Sequence, residues 1–193
     1  MIQALSPNQL RCQSADFWLE ITDLASRLGL DISSLHADHL ALRVNDRAVA
    51  QAIHQHWLNE GQQISEAMIN GRPIVVIKLN TPIELGAHKV DCLELPYPSD
   101  KVYPQQGWEH VEFVLPCDAR TTDELMQALF EFAPGLKQNW HQLGTQGIKV
   151  KTSSPQGEHE RLANPTIAFK YQGVCIKVHP HTLEAVIASE HMS

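Results

Sequence analysis

The chain has 193 residues, 43% hydrophobic and 19% charged. That supplies one ordinary domain or two small fused modules with a real core, and excludes wholesale disorder. Fifteen Lys and Arg against twenty-two Asp and Glu leave a formal charge of −7, which argues against general binding of nucleic acid or anionic membranes.

The first ten residues hold no Lys or Arg and no long apolar core, so no secretory leader is expected. The longest aliphatic run, Ile74 to Ile77, stops at Lys78, well short of the roughly 20 residues of a bilayer span. A soluble cytoplasmic protein is expected. Cys12, Cys92, Cys117 and Cys175 form no CxxC pair, so reduced thiols are expected rather than a disulfide scaffold or zinc ribbon.

The apolar stripe Phe17, Ile21, Leu24, Ala25 and Leu28 predicts an N-terminal helix, capped by Ser14 and ended by Gly29. Alternation from Ala37 to Val44 predicts a strand. Asn45 is the expected cap of a helix carrying Val49, Ile53 and Trp57 and stopped by Gly61. Strands follow at 64–69 and 74–79 around an Asn70-Gly71 hairpin turn, with another from Val90 to Leu95. The order strand, helix, strand, strand, strand then recurs. A strand over 107–116 precedes a helix capped by Thr122 and running to Pro134, and strands follow at 148–152, 166–171 and 174–178. A helix from Thr182 closes the chain. Asp38-His39-Leu40 and Glu109-His110-Val111 fall at matching places in the two halves, which points to an internal duplication.

Side chains alternate between faces along a strand. Leu40, Leu42 and Val44 oppose His39, Ala41 and Arg43; Val111, Phe113 and Leu115 oppose His110, Glu112 and Val114. Leu93 and Leu95 oppose Cys92 and Glu94, while Val174, Ile176 and Val178 oppose Cys175, Lys177 and His179. One face is oily enough to pack on helices. The other carries three His and a Glu, where an ordinary wet face would use Lys, Glu and Thr.

Paired modules of this order, with ligands on the first and last strands, resemble the vicinal oxygen chelate superfamily. More closely, NGRPI at 70–74, YPQQGWEH at 103–110, KTSSPQGEHERLANPT at 151–166 and IKVHP at 176–180 resemble the YecM family of bacterial proteins. The resemblance implies an α+β fold of two repeated βαβββ modules, with curved mixed sheets around a shared cavity and an added N-terminal helix. The implied division is a single domain over 1–193: a helical extension over 1–36, one module over 37–100 and a second over 101–193. It also implies similarity to metal-dependent isomerases and oxygenases.

The superfamily's ligand pattern falls on His39, His110 and Glu94. The fourth position departs from the usual carboxylate: Lys177 and His179 have the right parity, and of these only His179 is a metal ligand. Imidazole and carboxylate donors suit Zn, Fe, Ni or Mn with positions left open for water or substrate. Glu112, on the face of His110, is the expected general base, with ion pairing to Arg43 or Lys177 as its alternative role. His159, in the polar GEHER loop with Glu158, Glu160 and Arg161, is a candidate acid–base or lid residue. Arg43, Lys149, Lys151, Lys177 and Arg161 would make the cavity attractive to a small anionic substrate. His54 and His56, at i,i+2 on a helix, are expected at the surface.

Two function classes follow. One is a metal-dependent isomerase, lyase or dioxygenase acting on a small anionic metabolite. The other is a binding or sequestering protein on the same fold, since fold does not fix function. With only four Trp, three Tyr and five Phe, and Phe113 on the packing side, the chain leans toward metal chemistry. No nucleic acid or membrane partner is expected, and the chain is expected as a monomer or homodimer.

Overall fold

The structure, a computed structural model, describes residues 2–69, 71–154 and 162–190. His159 and Arg161, with the rest of the GEHER loop, Asn70 and His191, lie outside the described residues.

After a short helical turn at Ile2–Leu5, α1 spans Pro7–Leu28. Its cap is Ser6, not Ser14: the Ser6 hydroxyl accepts from the Gln9 N–H, and Pro7 occupies the first turn, where no amide donor is needed. Ser14 instead lies within the helix, its hydroxyl donating to the Arg11 carbonyl. Gly29 adopts the left-handed φ of +70° that ends the helix, its N–H turned back to the last turn. β1 is His36–Arg43 and α2 is Arg47–Leu58. Asp46 caps α2 through the Val49 N–H at 2.8 Å. The expected cap, Asn45, clasps the backbone of Tyr103 instead, and Gly61 opens a strand rather than stopping the helix.

The first module continues with β2 (Gly61–Ile69), β3 (Arg72–Leu85) and β4 (His88–Pro96). The second has β5 (Gly107–Val114), α3 (Thr122–Phe132), α4 (Pro134–Asn139), a turn at Trp140–Gln142, β6 (Lys149–Ser153), β7 (Thr166–Tyr171) and β8 (Val174–His179). Thr121, one residue before the expected cap, forms a reciprocal capping box with Glu124. The helix ends just before Pro134 as expected, because proline cannot donate to the preceding turn, and a further short helix, α4, starts at that proline. α5 is Leu183–Glu190. Among the described residues, no helix is long and apolar enough to cross a membrane.

The strands form one open, curved, mixed sheet in the order β2-β3-β4-β1-β5-β8-β7-β6. That order reads alike from either edge once β1–β4 are matched to β5–β8, so a pseudo-two-fold axis passes between β1 and β5. Each half contains one parallel pair, β1 with β4 and β5 with β8, and β1 and β5 join the halves antiparallel. Leu40, Ile77, Leu93, Val111, Phe113 and Ile176 are fully buried on one face, in a single core with Ile21, Leu24 and Leu28 of α1 and Ile53 of α2. At about 1.5–3 kcal/mol for each fully buried side chain, this face holds the helices on the sheet and leaves the opposite face for polar work.

The register resolves that polar face into rows. Lys149, Lys170, Cys175, His110, Ala41 and Glu94 are successive cross-strand partners from β6 to β4. The next row holds Lys151, Ala168, Lys177, Glu112, His39 and Cys92. His39 and His110 thus lie diagonally across the central strand pair, one from each module.

Candidate metal centre

Two irregularities in the central ladder build the site. Ala37 opposes Phe113 and His39 opposes Glu112, so Asp38 is an extra residue on β1; Ala41 opposes His110 and Leu42 opposes Trp108, so Glu109 is an extra residue on β5. A bulge interrupts the alternation of side chains and re-aims the residues at it. Each acidic residue consequently turns to the side of the histidine that follows it. Asp38 Oδ2 is 2.8 Å from His39 Nδ1, and Glu109 Oε2 is 2.8 Å from His110 Nδ1. A carboxylate can only accept, so each Nδ1 donates a proton to its carboxylate and each Nε2 is the atom turned inward.

Those inward atoms are orphans. Among the described residues, Nε2 of His39, His110 and His179 is buried without a hydrogen-bond partner. The His39 and His110 Nε2 atoms approach Glu112 Oε1 at 3.3 and 3.0 Å, close enough for charge attraction but without hydrogen-bond geometry. Glu94 Oε2 is 3.7 Å from His39 Nε2. One donor atom from each of His39, Glu94, His110 and Glu112 lies within 4.8 Å of the others. The structure therefore brings His39, Glu94 and His110 together and adds Glu112 to them. Glu94, with 15% of its side chain exposed, is the most open of the four.

His179 is placed differently. It forms a second group with Asp38 and His39, its Nε2 3.7 Å from Asp38 Oδ2 and 3.6 Å from Glu112 Oε2. Its Nδ1 donates to the His181 carbonyl. The register also shows that His179 is not the counterpart of Glu94. Glu94 pairs with Ala41, and the matching pair in the second module is Lys177 with Glu112. A lysine thus occupies the place where symmetry would repeat the carboxylate, and its ammonium lies 2.6 Å from Glu112.

The charges follow from this packing. Burial disfavours a charged Glu112, but Lys177 and His39 outweigh it and hold the carboxyl well below its usual range. Burial likewise opposes charge on His39, yet Glu112 and Asp38 raise it to about 10. Burial is also the leading influence on Glu109, overcome by His110 and Arg43, so that carboxyl too titrates low. Burial keeps His179 neutral by lowering it. The Cys92 and Cys175 thiols, cross-strand neighbours of His39 and His110, are pushed up to about 12 by burial and stay protonated. The donor set is therefore nitrogen and oxygen only, and its orphaned imidazoles fit a borderline divalent cation such as Zn, Mn, Fe(II) or Ni.

The remaining candidates separate. Arg43 does not reach Glu112; it pairs closely with Glu109 and stacks on Tyr103, 3.7 Å from the ring centre. Lys149 and Lys151 are exposed on the edge strand β6. His54, expected at the surface with His56, is buried between Tyr97 Oη at 3.1 Å and Gln63 Oε1 at 3.0 Å. The reason is that α2 turns this position toward β2 and the residues after β4. Sequence reasoning missed Asp38 and Glu109 as orienting groups, although the repeated acidic-His dipeptide was their signal. It also missed Lys170, whose row becomes visible only with the register.

The comparisons agree with the motifs. The YecM protein family profile matches residues 6–190. Protein YecM of Escherichia coli K12 is 43% identical over 170 residues, 88% of this chain and 86% of that protein. An uncharacterized protein of Haemophilus influenzae is 34% identical over 181 residues, 91% of this chain and 90% of its own. The solved structure of structural-genomics protein EC4020 superposes with a TM-score of 0.75 at 38% identity, covering 91% of this chain and 87% of that one. With the profile spanning nearly every element and the fold shared with a solved structure, the chain belongs to the YecM family.

Proposed function

We propose that this protein binds one divalent metal ion through His39, Glu94, His110 and Glu112, with His179 alongside, and uses it on a small anionic metabolite in the manner of the vicinal oxygen chelate enzymes. The observation that carries the reading is the set of three buried imidazole Nε2 atoms without a hydrogen-bond partner among the described residues, two of them oriented by a carboxylate on the far nitrogen. Buried polar atoms without partners are costly, and a carboxylate behind a histidine is the usual support of a metal ligand. When bound, the ion would act as a Lewis acid toward a substrate oxygen or as a centre for dioxygen chemistry.

The chain's own residues set the rest. Glu112, held deprotonated by Lys177, is better suited to ligation and charge balance than to taking a proton, so the general-base role first expected of it is the weaker assignment. Lys177 supplies positive charge beside the ligands, and Glu94 marks the open side by which substrate enters.

Elemental analysis of untagged protein purified without chelators tests the reading. About one equivalent of a first-row transition metal is expected, with tight rebinding after removal. No bound metal, together with no measurable affinity for Zn, Mn, Ni or Fe(II), would refute it. His179→Ala should lower affinity by about 10–100-fold if His179 supports the ligands from outside, and by more if it binds the ion; unchanged affinity would remove it from the site.

A pH dependence follows from His39. In the metal-free protein its charge is stabilising below its ordinary value of 6.5, and that contribution fades as pH rises toward about 10. Metal needs the neutral imidazole, so binding expels the proton. Affinity should rise by about tenfold per pH unit between roughly pH 6.5 and 8.5, measured by competition with a chromophoric chelator. A flat profile would mean that His39 carries no proton to lose.

A further inference from the structure

A cavity of about 240 Å³ opens beside the metal site, lined by Arg43, Glu109, Lys149, Lys170, Gly173 and Cys175 among others. It lies along the same row of the sheet as His110: Cys175 is the cross-strand partner of His110, Lys170 of Cys175, and Lys149 of Lys170. Strands are about 4.8 Å apart, so the backbone of Lys170 stands roughly 10 Å from that of His110, within a few bonds' reach of the metal ligands.

The charges of the lining do not cancel. Among the described residues of the lining, Arg43, Lys149 and Lys170 contribute three positive charges and Glu109 one negative, a balance of two positive. Glu109 is moreover already engaged, with one oxygen on Arg43 and the other on His110. Lys170 reaches it only at 3.9 Å, and among the described residues Lys149 has no carboxylate within salt-bridge distance. The volume lies below the roughly 300–1,000 Å³ of drug-sized ligand pockets, which suits a small group rather than a large ring system.

We propose that this cavity is an oxyanion subsite that takes a doubly charged terminal group, such as a phosphoryl group, of the metabolite whose other end reaches the metal. The proposal rests on the metal reading for the second half of that statement only. Lys149 and Lys170 supply the freely available charge. Arg43 adds a planar guanidinium fixed by Tyr103 and Glu109, suited to paired contacts with phosphoryl oxygens. Glu109 forms the wall between anion and metal. Because it touches both Arg43 and His110, an anion that engages Arg43 leaves Glu109 freer to support His110. Anion and metal should therefore bind with positive coupling, each tightening the other by the same factor.

The test is calorimetric titration of the full chain, stripped of metal, with inorganic phosphate and separately with sulfate. Saturable binding is expected, weakened by at least about tenfold in the Lys149→Gln, Lys170→Gln double variant, since hydrogen bonds to charged groups are worth about that factor or more. Lys137→Gln, on α4, should leave it unchanged. Both subsite lysines are exposed, so the double variant should keep the thermal stability of the parent chain. Should that variant misfold, Lys170→Gln alone serves the same comparison. Sulfate, a poor metal ligand, should also tighten metal binding in the parent chain and not in the double variant. Non-saturable uptake, or equal affinity in the double variant, overturns the subsite. Metal rebinding by the same stripped preparations separates the two readings: anion binding without metal uptake removes the metal proposal and keeps the subsite, and metal uptake without anion binding does the reverse.

Discussion

His110→Ala is expected to lower affinity for a divalent metal by more than 100-fold, while Glu109→Gln lowers it by only about 10–100-fold. The two residues are adjacent, both lie within the sheet and both are buried, so a difference between them reports role rather than location. His110 offers to the cluster an Nε2 without a hydrogen-bond partner among the described residues; Glu109 meets His110 at the far nitrogen, at 2.8 Å. Removing an orienting carboxylate leaves the ligand in place but frees its ring and lowers its basicity, which is the smaller loss. Removing the ligand deletes a coordinate bond. Added imidazole should recover part of the binding in His110→Ala, since the cavity left behind has the shape of the lost ring, and none in Glu109→Gln. The measurement is competition against a chelator of known affinity at fixed pH. An affinity for His110→Ala within threefold of the parent chain would remove His110 from the site. If Glu109→Gln proved the more damaging of the two, the carboxylate would be the ligand and the histidine its support. Asp38→Asn should behave like Glu109→Gln, because the bulge and the hydrogen bond are repeated there.

The strand faces were legible because period-two alternation is a direct consequence of backbone geometry: His39, His110 and Glu94 could be sorted from Leu40, Val111 and Leu93 by parity alone. The duplication was legible because element order repeats. Parity fails at a bulge. Strict alternation would put Asp38 and Glu109 on the face opposite their histidines, and the inserted residue on each strand reverses that. The pairing of distant strands was equally out of reach. Glu94 and His179 both stand near the end of a last strand beside a proline, yet only the register shows that the partner of Glu112 is Lys177. Helix caps missed by one residue at Asp46 and Thr121 and by eight at Ser14. Several neighbouring polar residues can each cap a helix, and tertiary contacts choose among them: Asn45, for example, is drawn away to Tyr103.

Lys177→Met should destabilise the metal-free protein and strengthen its hold on metal. Among the described residues Lys177 is the nearest cation to Glu112, at 2.6 Å, and it stands where module symmetry would place a second glutamate. Without the ion, its ammonium is a large part of what makes a buried Glu112 carboxylate tolerable. Removing one partner of a buried pair costs about 3–5 kcal/mol. The Lys177 side chain keeps 23% exposure, so the lower end, about 3 kcal/mol, is expected. For a domain of this size that is a fall of about 6–12 °C in Tm. The sign with pH follows from Glu112, whose carboxyl is depressed: the pair's contribution is present above the ordinary carboxyl range near 4.5 and disappears as pH falls through and below it. The deficit of the variant should accordingly be full at neutral pH and shrink in acid. Metal changes the balance, because a divalent cation supplies the charge that Lys177 provided and no longer competes with it for Glu112. The loaded variant should therefore regain most of its Tm. By the thermodynamic cycle, whatever stability metal restores must appear as tighter binding, about tenfold or more. Differential scanning calorimetry with and without metal, beside the chelator competition, measures both arms. A variant that loses Tm and metal affinity together would show that Lys177 helps to hold the site in its binding form, and the substitution of lysine for the expected carboxylate would then be a support for the ion rather than its rival.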